Sequence, residues 1–230
     1  CIRDSSFIEA HAGEVQAFEH FAHAQPDNVV LLIDTYDTEE AARKVARLAP
    51  RLAEAGIQVR SVRLDSGDLN AHARRVRGIL DEAGLTDVHI FVSGGLDEGD
   101  LIRLTSLGAP IDGYGIGTKL DTSADAPYLD CAYKLQEYAG TARRKRSEGK
   151  ASWPGRKQVV RRTGEDGFFA EDLLALVSEG DEGEPLIRPV LRGGMRVEPA
   201  EGLAAKRERL TRQLVRLAPG VKRLARPSAT

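Results

Sequence analysis

Cysteine is nearly missing: Cys1 and Cys131 are the only two in 230 residues, and neither has a CxxC partner. A disulfide framework and a thiolate zinc site are therefore not expected, and a cytoplasmic setting is. Net charge is nearly missing too, at -2, which argues against wholesale binding to nucleic acid or a membrane. No apolar run approaches the roughly 20 residues that span a bilayer, and Cys1-Ile2-Arg3-Asp4-Ser5 has no apolar signal core. An initiator methionine is lacking, and the first residues make no credible start to a domain. The chain is expected to begin inside a longer protein or to have been cut. No GxGxxG follows a strand, which counts against a Rossmann dinucleotide site. Among the histidines, His20 and His23 stand at i, i+3; a solvated helix face is the commoner reading, a metal pair the rarer.

What is present is ordinary for a soluble globular protein: 41% hydrophobic and 30% charged residues, with length for one large or two small domains. Residues 6–24 carry Phe7, Ile8, Val15, Phe18 and Phe21 at mostly helical spacing. A unit then repeats. Residues 29–33 read as a buried strand and 38–55 as a helix capped at Thr38 and stopped by Gly56. Strand 57–64 leads to helix 69–83 and Gly84, strand 88–92 to helix 97–107 and Gly108, and 111–116 is a fourth strand. Strand, helix and glycine at a period of about 25 to 30 residues mean right-handed βαβ crossovers and a parallel sheet.

From Asp121 the character changes. Residues 128–138 are apolar and aromatic, helix or strand. A basic segment follows with Arg143, Arg144, Lys145, Arg146, Lys150, Arg156, Lys157, Arg161 and Arg162 against Glu148. Its Trp153-Pro154-Gly155 suggests an ordered loop, and a solvated surface, nucleic-acid contact or polyphosphate binding all remain open. Short strands are expected in 167–177 and 186–197, with turns at 180–183 and at Gly193-Gly194. An amphipathic helix over 202–217 and a frayed tail through Pro227 complete the chain. This divides it into an α/β body (1–140), a basic loop (141–162) and a small α+β region (163–230).

The polar residues gather where strands end. Asp34 and Asp37 close the first strand, Arg63, Asp65, Ser66 and Asp68 the second, Ser93, Gly94 and Gly95 the third, and Gly117 and Thr118 the fourth. In a parallel α/β sheet or barrel these ends converge on the ligand-binding face. The glycine turns offer bare backbone N–H groups that suit a phosphate, or are simply tight turns. Four unpaired carboxylates would repel, so they need a metal, ribose hydroxyls or cations. Helix N-capping covers Asp68 and suits Asp37. Asp34 and Asp65, at the ends of apolar strands, are the better functional candidates.

With these residues placed, the chain resembles the nicotinate phosphoribosyltransferase family. The matching stretches are Leu32-Ile33-Asp34-Thr35-Tyr36-Asp37-Thr38, Val62-Arg63-Leu64-Asp65-Ser66-Gly67-Asp68-Leu69 and residues 108–118. Residues 122–127, Tyr133-Lys134-Leu135, Lys145-Arg146-Ser147 and 154–159 continue the match. It covers nearly the whole chain but only the C-terminal half or so of a family member. The resemblance implies half of an irregular (β/α) barrel of the type II phosphoribosyltransferase kind, usually in a homodimer with shared active sites. It implies the transfer of a phosphoribosyl group from phosphoribosyl pyrophosphate (PRPP) to nicotinate, with Mg²⁺ and with ATP as co-substrate. Arg63 would hold the nicotinate carboxylate or stack on its ring, Asp65 the ribose hydroxyls, and Gly94, Gly95, Gly117 and Thr118 the 5′-phosphate. Ser66, Asp68, Ser93, Lys145 and Lys157 complete the substrate-binding set. Asp34 would orient the histidine that the family phosphorylates from ATP.

One departure stands out. Ser5 occupies the position of that histidine, and the match begins only at Ser6, which leads us to expect a truncated or frame-shifted start. A non-catalytic half-barrel that binds a phosphorylated ligand, a nicotinamide or quinolinate relative, and a generic sugar-phosphate barrel enzyme are the alternatives. A half-barrel would also expose open sheet edges and an apolar interior, and so self-associate.

Overall fold

The computed structural model describes residues 2–123 and 132–222. Expectations that fall on 124–131, including Cys131 and most of the 122–127 motif, and on the tail 223–230 lie outside the described residues. The chain forms two compact units, Cys1–Gly155 and Arg156–Thr230. The division falls inside the basic segment 141–162.

The first unit is α/β. Its sheet has the order β1-β2-β3-β4, all parallel: β1 Val29–Leu32, β2 Val59–Leu64, β3 His89–Val92 and β4 Gly113–Tyr114. The crossovers are α3 Thr38–Glu54, α4 Leu69–Glu82 and α5 Glu98–Ser106. Each helix is placed by its apolar stripe: Ala41, Val45, Leu48 and Leu52 are buried on α3, and Leu69, Ala73, Val76 and Leu80 on α4. These meet Val62, Leu64, Ile90 and Val92 of the sheet in one core. Fully burying one such Leu or Val contributes roughly 1.5–3 kcal/mol. Fourteen-residue α4 would not stand without that packing.

Local readings needed three corrections. Residues 6–24 are two helices, α1 Ile2–Ala10 and α2 Glu14–Ala24, because extended Gly13 (φ -163) interrupts the periodicity. Asp37, rather than Thr38, caps α3: its carboxylate accepts from the Glu40 N–H at 2.8 Å. In 111–116 only Gly113–Tyr114 pair as strand, although the Asp112 and Gly115 N–H groups also reach β3, at Ile90 O and Val92 O. The short α6 Thr118–Asp121 and the hairpin of β5 Glu137–Tyr138 with β6 Thr141–Ala142 follow.

In the second unit β7 Lys157–Thr163 pairs antiparallel with β8 Phe169–Leu176 and with β9 Glu184–Pro185. The end of the basic segment is therefore strand, not loop. The sequence concealed this because its charges are neutralised across the sheet. Arg161 grips Asp172 with two 2.7 Å bonds, and Arg162 pairs with Glu171 and Asp181. Arg161 and Arg216 both lie over the Phe169 ring. The hairpin of β10 Leu191–Arg192 with β11 Met195–Arg196 and the helix α7 Leu203–Val215 complete this unit. Among the described residues no helix is long and apolar enough to cross a membrane.

Candidate active site at the strand ends

Sheet register builds the site. Leu32, Arg63, Phe91 and Gly113 stand side by side across the four strands. Side chains alternate along a strand, so two residues further, on the same face, come Asp34, Asp65, Ser93 and Gly115. The residues between them, Leu64 and Val92, face the helices and are fully buried. One row thus holds a cation and an aromatic ring, and the next holds two carboxylates and a hydroxyl.

Each carboxylate of the second row accepts from a serine hydroxyl. Ser93 Oγ donates to Asp65 Oδ1 at 2.7 Å, and Ser66 Oγ donates to Asp34 Oδ2. Asp34 is buried, and its Oδ1 has no hydrogen-bond partner. Two glycines permit the close approach. A Cβ on Gly113 would lie 2.7 Å from the Phe91 ring, and one on Gly94 (φ +113) would lie 2.4 Å from the Asp65 carbonyl oxygen.

The basic segment reaches this face from far along the chain. Ser147 Oγ donates to Asp34 O, and the Arg146 N–H to Thr35 O at 2.9 Å. Lys150 Nζ donates to Asp65 Oδ2 at 2.8 Å and to Asp65 O. Lys145 is buried, its Nζ 2.8 Å from Ser5 Oγ. The loop holds its own shape, with the Lys145 N–H on Ser152 Oγ at 2.9 Å and the Ser152 N–H on Lys145 O at 3.0 Å.

These contacts set the charges. Burial would raise the Asp65 carboxyl, but the hydrogen bonds from Lys150 and Ser93 and the charge of Lys150 outweigh it and hold the group below its ordinary value. Burial pushes Lys145 down, against the pull of Asp34 and Asp65. Glu9, one turn beyond Ser5 on the same face of α1, is pushed up by burial despite Lys145, Lys134 and Arg143 nearby.

Most of the sequence-predicted residues meet here: Asp34, Asp65, Ser66, Ser93, Gly94, Gly95 and Lys145, with Ser5 against Lys145. Arg63 stands one row back, with Nη1 2.6 Å from Asp4 Oδ2 and with Nε and Nη2 buried and unpartnered. It lines a cavity of about 410 Å³ with Asp4, Phe7, Phe18, Phe21 and Leu31. Asp68 caps α4 instead, accepting from the Ala71 N–H at 3.1 Å. Gly117 and Thr118 begin α6 beyond the end of β4, and Lys157 opens β7 in the second unit. Sequence reasoning missed Lys150, Ser147, Glu9 and Phe91. Charge gave no reason to choose Lys150 among nine basic residues, whereas an aromatic flanked by strand residues opposite a Gly-rich strand was a usable signal. Among the described residues no group of three or more His, Cys, Asp or Glu side chains is placed to hold a metal.

No family model matches the chain. It is 44% identical over 220 residues to nicotinate phosphoribosyltransferase pncB2 of Mycobacterium tuberculosis, covering 95% of this chain and 47% of that one. It is 35% identical over 253 residues to nicotinate phosphoribosyltransferase of Bos taurus, covering 96% and 47%. The crystal structure of nicotinate phosphoribosyltransferase from Porphyromonas gingivalis superposes on 65% of this chain and 42% of that one, with a TM-score of 0.52 at 25% identity. Both sequence relatives match nearly the whole of this chain. The chain belongs to the nicotinate phosphoribosyltransferase family and spans about half the length of the curated relatives it matches.

Proposed function

We propose that this chain carries the sugar-phosphate half of a nicotinate phosphoribosyltransferase, an enzyme of NAD salvage that joins nicotinate to the ribosyl carbon of PRPP and releases pyrophosphate. The observation that carries this reading is the row Asp34, Asp65 and Ser93, with Lys145 and Lys150 folded onto it from the basic loop. In such a transfer the bond from ribose to pyrophosphate breaks as positive charge develops at the ribosyl centre. Asp65, kept ionised, faces that charge and accepts ribose hydroxyls, while Lys145 faces the departing pyrophosphate. The Ser93-Gly94-Gly95 turn presents backbone N–H groups to the 5′-phosphate. Arg63, with two buried unpartnered nitrogens beside a cavity lined by phenylalanines, suits a flat aromatic carboxylate such as nicotinate.

Mg²⁺ fits as a partner of the substrate's pyrophosphate, with Asp34 and Asp65 the carboxylates at hand; such ions commonly use one or two carboxylates plus phosphate oxygens. ATP coupling has less support in this chain. The position that the resemblance gives to a phosphorylated histidine is Ser5, whose hydroxyl is held by Lys145. That contact favours the second reading, a half-barrel that binds a phosphorylated ligand without turnover. The completed barrel and a homodimer belong to the same proposal for the whole protein.

Nicotinate mononucleotide formation from nicotinate, PRPP and Mg²⁺, with and without ATP, tests the proposal. The expected result is no product from this chain alone and product from a longer chain extended upstream through a histidine at this position. A longer chain that also stays inactive would reject the transferase reading.

A further inference from the structure

Lys150 has so far only its ion pair with Asp65, yet its position serves more than that pair. An ammonium has three N–H donors. Asp65 takes two of them, through Oδ2 at 2.8 Å and through its backbone carbonyl. The same nitrogen lies 3.3 Å from where a Cβ on Gly94 would be, so it stands over the backbone of the Ser93-Gly94-Gly95 turn. Both glycines of that turn have left-handed φ, +113 and +76. The turn by itself offers an anion only neutral N–H groups. Of the cations nearby, Lys145 is held at Ser5 and one Arg63 nitrogen at Asp4. The Lys150 side chain is 33% exposed, so a ligand can reach it. Its loop is tied to the end of β1 through Ser147 and Arg146, which fixes the ammonium before any ligand arrives.

We propose that Lys150 is a binding residue that reads both ends of a pentose 5-phosphate. One N–H holds the Asp65 carboxylate and a second the Asp65 backbone carbonyl, which orients the carboxylate toward the sugar hydroxyls, and the third meets a phosphate seated on the Ser93-Gly94-Gly95 turn. The inference deepens the transferase reading and rests on it for the choice of ligand. No bond is made or broken in this step. A phosphate without the sugar would use half of the arrangement, and a sugar without the phosphate the other half.

The test is a double-mutant cycle on the whole chain, with ribose 5-phosphate as the titrant in calorimetry. Lys150→Met is expected to weaken binding about tenfold or more, the scale of a lost charge-assisted hydrogen bond. The loss is expected to persist when both proteins also carry Asp65→Asn. A loss that vanishes in the Asp65→Asn background would mean that Lys150 acts only through Asp65, and would overturn the proposal. Unchanged or tighter binding by Lys150→Met would overturn it as well, as would a wild-type chain that does not bind ribose 5-phosphate. Should Lys150→Met not fold, Lys150→Gln, which keeps an N–H donor, runs the same cycle. The transferase reading is judged separately, by product formation in the extended chain.

Discussion

Ser5 Oγ accepts a 2.8 Å hydrogen bond from Lys145 Nζ, joining the first helix to a loop 140 positions later in the chain. Both side chains are buried, so neither can exchange its partner for water. Ser5→Ala leaves a buried ammonium one acceptor short and should destabilise the chain by about 1–3 kcal/mol. Lys145→Met added to Ser5→Ala should lose less than the two single changes summed, because the shared contact is removed only once. Urea unfolding midpoints of the four proteins check this, and strict additivity would contradict it.

Glu9 predicts a pH dependence of one sign. Burial, its largest influence, raises the folded-state carboxyl above the ordinary value of 4.5. The folded chain then binds the proton more tightly than the unfolded chain. Stability therefore falls as pH climbs from 4.5 through the raised value, and the deficit persists above it. Glutamine imitates the protonated form, so Glu9→Gln should be more stable than wild type at neutral pH and no more stable below pH 4.5. Melting temperatures of the two proteins across pH 4 to 8 give the comparison.

Asp65 has the opposite sign. Burial raises it, but Lys150 and Ser93 bring its folded value below the ordinary 3.8. Its contribution is complete above 3.8 and is lost as pH falls through the depressed value. Asp65→Asn should flatten this part of the acid limb. Lys150→Met should do the same, since it removes the main cause of the depression. Acid unfolding followed by circular dichroism would show a steeper limb in either variant if this assignment were wrong.

Three glycines at the site should differ sharply when changed to alanine. At Gly95 the φ of +76 is the whole penalty, since nothing lies within 4 Å of the added carbon; about 1 kcal/mol is expected. Gly113→Ala strikes the Phe91 ring at 2.7 Å, and about 1–3 kcal/mol is expected, relieved by Phe91→Leu. Gly94→Ala meets backbone at 2.4 Å and cannot be relieved by any side-chain change, so it should be the most damaging of the three. Thermal unfolding of the three variants ranks them.

Asp68 separates capping from binding. Its carboxylate accepts from the Ala71 N–H at the start of α4. Asp68→Ala should lose about 1 kcal/mol and Asp68→Ser almost none, because serine also caps. Neither change should alter ribose 5-phosphate affinity. A loss of affinity in Asp68→Ser would restore Asp68 to the binding set.

The βα period was legible in the sequence because its causes are local. A short β-branched run between turn residues, such as Val29-Val30-Leu31-Leu32 after Pro26-Asp27-Asn28, favours a buried strand, and Gly56, Gly84 and Gly108 end helices through left-handed φ. The break at Gly13 was not legible, since Val15 and Phe18 continue a helical spacing across it. The strand β7 was hidden for another reason. Arg161 and Arg162 look like a solvated run until Asp172, Glu171 and Asp181 are brought opposite them by the hairpin.

The candidate site divides in the same way. That Asp34, Asp65 and Ser93 share a face follows from strand ends and a period of two, so sequence alone determined that the carboxylates, the hydroxyl and the Ser93-Gly94-Gly95 turn lie together. That Lys150 joins them, and what holds Lys145 in place, was decided only by the tertiary structure. Lys145 and Lys150 lie in a segment whose charge suits water, nucleic acid or phosphate equally. Their positions depend on Ser147 and Arg146 fastening that segment to the end of β1 more than 80 residues earlier, and on Ser152 holding the shape of the loop. Charge is a property of one residue and can be read in place, whereas the partner that gives it a role is set by long-range packing.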